Sequence, residues 1–141
     1  MGVTIQCKKT GESIDMGAFG FLHLRRQVSD LCGDPWASHY RTLTDGPCYG
    51  KDEAWFDEFD KTTDKLLNDK CVSIKVVDFL LQSDTGGAIR YGACKEILKV
   101  IGDYDDGILY GYAGRPDCAK FADFKRLLAQ CVENKCNLIW W

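Results

Sequence analysis

A chain of 141 residues, 45% hydrophobic and 12% aromatic, is long and apolar enough to enclose one core, within the ordinary span of a single domain. Its formal charge of −3 and pI near 5.3 are the wrong sign for phosphate neutralisation and argue against nucleic-acid binding. No run reaches the ~18 consecutive apolar residues of a membrane span, and MGVTIQCKKTGE lacks the zones of a secretion signal. The expectation is a cytoplasmic protein without membrane association. Met1-Gly2 does not make a myristoylation signal, because Gln6 stands where that pattern wants Ser or Thr.

The N-terminus alternates, with Val3, Ile5 and Cys7 on one side and Thr4, Gln6 and Lys8 on the other, which predicts a half-buried strand. KKTGE reads as a turn and SIDM as a second strand. From Phe19 the period becomes helical, with Phe21, Leu24, Val28 and Leu31 inward and Gly33 as the stop. Asp34-Pro35 opens a short helix with Trp36, Tyr40 and Leu43 inward. TDGPCYG is a loop, and KDEAWFDEFDKTTDKLL is an amphipathic helix with the stripe Phe56, Phe59, Thr63, Leu66 and Leu67. Further helices are predicted over 72–81, 91–101 and 116–134, with a tight helix-to-helix connection around Asp84. CNLIWW closes the sequence as a strand that puts its two tryptophans on opposite faces. Pairing this end with the N-terminal hairpin gives an α+β fold, mainly helical with about five helices, and a small antiparallel sheet joining both termini.

Between Lys51 and Lys65 six acids face three lysines, a local charge of −3 that equals the net charge of the chain. Eight cysteines stand at 7, 32, 48, 71, 94, 118, 131 and 136 without a C-x-x-C pair, so the strong zinc signatures are missing. Cys94 and Cys131 continue apolar helical stripes and read as buried free thiols.

Several motifs fail against their flanks. Asp84-Thr85-Gly86, followed by Val100-Ile101-Gly102, imitates the retroviral-type aspartic protease pattern, but a helical segment lies where that all-β family has strands. Read as a calcium loop, the same stretch offers Gln82, Asp84, Gly86 and then Ala93 where the bidentate acid belongs. GDYDDGILYGYAG fails likewise, with Gly102, Tyr104, Asp106 and Ala113 at ligand positions. There is no nucleophile elbow and no phosphate loop, and although His23 or His39 could meet a cysteine in the fold, with eight cysteines such a pairing is expected by chance.

The remaining candidate is the connection around 103–117. Asp103, Asp105 and Asp106 follow a helix end, where the dipole disfavours carboxylates, and Tyr110, Tyr112 and Arg115 lie beside them in a glycine-rich run. Tyrosine and arginine are favoured interface anchors, so these six residues are the candidate partner-binding set. DYDD, YGYAGRPDC and the final aromatic strand together resemble a set of small uncharacterised proteins of Gram-positive bacteria and their mobile elements. The resemblance implies a bacterial cytoplasmic accessory protein and assigns no catalytic residue.

The leading expectation is therefore a small acidic, non-enzymatic interaction protein, accessory or immunity-like, with no cofactor and another protein as partner. The alternative is a small enzyme or metal-binding protein using the 103–117 loop, with an acid as base or ligand and Arg115 on an anion.

Overall fold

The computed structural model describes residues 2–45, 50–111 and 118–141. Strands β1 (Gly2–Cys7) and β2 (Ser13–Gly17) lead into α1 (Ala18–Leu31), α2 (Trp36–Thr44), α3 (Glu53–Asn68) and α4 (Ile74–Leu81). A short strand β3 (Gly87–Ile89), helices α5 (Tyr91–Ile101) and α6 (Phe121–Asn134), and strand β4 (Leu138–Trp140) complete the chain. The described residues thus hold six helices and one sheet of order β2-β1-β4-β3, antiparallel throughout. The fold is α+β and mainly helical.

The alternation in β1 does what it predicts: Val3, Ile5 and Cys7 are buried and the residues between them are not. β4 enters between β1 and β3, so both of its edges are paired, with Ile5 opposite Trp140 on one side and Gly87 opposite Trp140 on the other. Its tryptophans part as a strand requires: Trp140 is 2% exposed and Trp141 53%. The Trp140 ring packs among Phe21 and Phe79, and its Nε1 donates to the Ser83 carbonyl at 2.9 Å.

Strand β3 corrects the expected helix-to-helix connection at this place. The short run after α4 turns out extended because β4 offers it a free edge. Asp84 is exposed, and the C-cap of α4 is Gln82. The Gln82 side chain receives the Ala88 amide on its Oε1 and donates to the Ala88 carbonyl, covering the outer edge of β3 as a neighbouring strand would.

The last helix begins at Phe121, later than the predicted 116, because Asp123 accepts the Lys120 amide and fixes the helix start there. At its other end Lys135 takes the left-handed conformation (φ 51), and the Cys136 amide reaches back to the Cys131 carbonyl. Phe56, expected inward, is 44% exposed, since α3 lays only Phe59, Thr63 and Leu66 into the body. Leu43, also expected inward, is half-buried.

Arg25 is a buried cation that the helical pattern assigns to no face. Its guanidinium lies over Phe21 at 4.2 Å and near the rings of Phe79 and Trp140. It donates to the Gln82 carbonyl at 2.6 Å. Burial lowers its pKa to about 10, which leaves it charged at neutral pH.

Gly87 lies so close under Trp140 that a β-carbon there would overlap the indole. Gly87→Ala is therefore expected to destabilise the protein by about 1–3 kcal/mol in urea titrations, as overpacked substitutions do. A variant as stable as the wild type would show that β3 does not carry the indole.

Candidate functional site

The described part of the 103–117 loop is closely bonded to the body. After Gly102 ends α5, the Gly107 amide donates to Asp105 and the Ile108 amide to Asp106 at 2.9 Å. The Tyr104 and Tyr110 hydroxyls both donate to the second Asp106 oxygen. Burial first, and then the adjacent carboxylate, raises the pKa of both phenols, so they stay protonated donors. The main chain of Tyr110 donates to Ala119 and accepts from Gly17, while the ring packs near Phe121.

Of the six residues singled out in the sequence, Asp106 and Tyr110 thus meet each other, and Tyr110 is buried. Asp103 and Asp105 are exposed. Tyr112 and Arg115 lie outside the described residues. The carboxylates placed against the helix dipole have a local explanation: two of them accept the amides of the turn that follows.

A cleft of about 490 Å³ lies between this loop and the polar side of α1, with Phe19, His23, Arg26, Arg41, Ile108 and Tyr110 among its walls. Its arginines are already paired, Arg41 with Asp30 through two hydrogen bonds and Arg26 with Asp45. A second groove of about 770 Å³ runs past the starts of α4 and α5 and carries Lys75, Arg90 and Lys135 beside Ile74 and Tyr91. Its one acid, Asp78, accepts a hydrogen bond from Gln82. Neither cavity brings a nucleophile, a base and an orienting group together among the described residues, which is what a catalytic reading needs.

The outer surface of α3 is rich in exposed acids. Glu53, Asp57, Glu58, Asp60 and Asp64 are all exposed, and Lys61 with Glu58 is the ion pair on this helix among the described residues. Phe56 stands exposed among them. The helix is held by a side-chain stack: His39 of α2 lies parallel to Phe59 at 4.1 Å, and Phe59 lies parallel to Trp55. His39 Nε2 is 2.8 Å from the Thr63 hydroxyl, and burial lowers its pKa from the ordinary value.

Sequence reasoning missed a cluster of thiols. The sulfurs of Cys7, Cys131 and Cys136 lie within 4.8 Å of one another, with Cys7 and Cys136 at 3.3 Å. Cys94 of α5 adjoins Cys131. The seven described cysteines are free, and Cys48 lies outside the described residues. Burial opposes ionisation of Cys7, but hydrogen bonds from Thr10, Cys136 and Cys131 outweigh it and bring the thiol down to about 7. The opposite holds for Cys131, whose thiol is pushed up by its contact with Cys94 and by burial. Chain spacing hides this cluster, because its members come from opposite ends of the sequence and meet only through the β1–β4 pairing.

No protein-family model matches the chain, and neither the curated proteins nor the solved structures contain a significant match to it.

The bonded loop makes a direct prediction about its role. Asp106→Ala removes the acceptor for two tyrosine hydroxyls and one amide, and leaving such groups unmet costs about 1–3 kcal/mol each where they are buried. The variant is expected to melt clearly below wild type, whereas Asp103→Ala is expected to melt with it. Equal melting of all three proteins would show that Asp106 is free for another task.

Proposed function

We propose that this protein is a non-enzymatic interaction module that docks a basic protein partner on the exposed face of α3. The observation that carries this reading is the isolation of that helix: three of its sixteen residues are buried, and its outward acids surround an exposed phenylalanine. Exposed acids at this density, of which Glu58 alone is paired among the described residues, raise the local negative potential and speed encounter with a cationic surface. An aromatic ring at the centre of a charged rim supplies the apolar anchor that such contacts use. The exposed Asp103 and Asp105 extend the same preference for a cationic partner, and an accessory or immunity-like role agrees with it. The groups facing the two cavities support binding better than catalysis, because among the described residues neither cavity joins a nucleophile to a base and an orienting group.

A photo-crosslinking residue at position 56, and a second at exposed Lys99 as a control, introduced into the protein in its native cells, test the reading. The expected products at position 56 are basic proteins. They are lost at high salt and in a variant with Asp57, Asp60 and Asp64 all changed to Asn, which stays folded because these positions are exposed. Products that match those at Lys99, or that persist after neutralisation, would overturn it.

A further inference from the structure

Cys7 ends β1, Cys131 lies in the last turn of α6, and Cys136 follows the left-handed Lys135 that turns the chain back over that helix end. The register of β1 against β4, Cys7 opposite Leu138, brings the start of the chain to this turn. Cys7 and Cys131 are fully buried, whereas Cys136 is half-buried and gives the cluster its access from solvent. We propose that Cys7, Cys131 and Cys136 bind one soft divalent cation of the zinc class, with Cys94, which adjoins Cys131, as the candidate for a fourth sulfur.

The spacing fits that chemistry. Zinc–sulfur bonds of about 2.3 Å in a tetrahedron put neighbouring sulfurs about 3.8 Å apart. The three thiols here, with one pair at 3.3 Å and all within 4.8 Å, bracket that distance. Hard cations such as calcium and magnesium demand oxygen ligands, and no carboxylate belongs to the cluster among the described residues. Binding exchanges three S–H bonds for three sulfur–metal bonds, releases the thiol protons to solvent, and changes no oxidation state. Three thiolates on a divalent ion leave one negative charge. Lys8 and Lys135, adjacent in sequence to Cys7 and Cys136, place cations on the segments that carry it.

The cluster is also a different kind of site from a C-x-x-C knuckle. Its ligands are 124 and 129 positions from Cys7 along the chain, so an ion there would tie the first strand to the last helix and stabilise the native topology directly.

The test uses the full chain, reduced and stripped with a chelator, then titrated with zinc and with cadmium. One ion per chain is expected, together with an ultraviolet thiolate-to-cadmium charge-transfer band and a higher melting temperature. Mass spectrometry after alkylation should find half-buried Cys136 protected by the ion and half-buried Cys71 unchanged. Cys136→Ser, at a half-buried position that tolerates substitution, should weaken binding by about tenfold or more, while Cys71→Ser should not. Cys94→Ser should weaken it as well; unchanged affinity in that variant would remove Cys94 from the site. The proposal is overturned if the reduced protein takes up no ion, if Cys136→Ser binds as the wild type does, or if the cluster only oxidises to a Cys7–Cys136 disulfide. Because the protection pattern is read on the wild type, a variant that fails to fold does not rescue the idea.

Discussion

The placement of Trp140 inside the sheet constrains most of this molecule. A strand of three residues has little backbone pairing of its own, yet β4 is bonded on both edges and carries one of the largest fully buried side chains. Its indole closes the space left by Gly87, meets Phe21 of α1 and Phe79 of α4, and holds the Ser83 carbonyl. Arg25 completes the arrangement by stacking its charge on the same rings and bonding the carbonyl of Gln82. Two helices and two strands are thereby registered against one residue near the end of the sequence. With no ion pair to it among the described residues, the burial of this guanidinium is offset by π faces and main-chain oxygens, while its Nε is left without a partner there.

The same pairing that seats Trp140 also creates the thiol cluster. Strand β1 must lie beside β4 for Ile5 to face Trp140, and two residues further along the register Cys7 arrives at the turn that bears Cys136. The turn itself uses a lysine in a conformation usually left to glycine. Core construction and site construction are thus one event, and an ion at the cluster would act on the seam between the two ends of the chain.

Much of the fold is written locally. The period-two alternation of Val3, Ile5 and Cys7 and the separation of Trp140 from Trp141 are legible because a half-buried strand leaves no other reading. The helical stripes are equally clear, Phe121, Phe124, Leu128 and Cys131 among them. What could not be read depends on partners far away in sequence. β3 is a strand because β4 and the Gln82 amide supply its edges, and Arg25 is inside because Phe21 of its own helix and the rings of Phe79 and Trp140 from two other elements surround it. Phe56 follows the apolar period and is still 44% exposed, since among the described residues α3 lays only Phe59, Thr63 and Leu66 into the body. The loop acids looked like ligands for an outside group; Asp106 instead serves the two tyrosines and the amide that fold around it.

The charges divide the surface in a way that suits binding. Acids gather on α3, while Lys75, Arg90 and Lys135 gather in the groove at the starts of α4 and α5, where no ion pair neutralises them among the described residues. All of this rests on β4 being part of the cooperative core rather than an appended end, and native-state hydrogen exchange reads that directly. The amides of Thr4, Lys8 and Trp141, which bond across the β1–β4 seam, should exchange only with global unfolding, at the same free energy as the buried turns of α6. Exchange of these amides through local fraying, well below the stability of α6, would contradict the account.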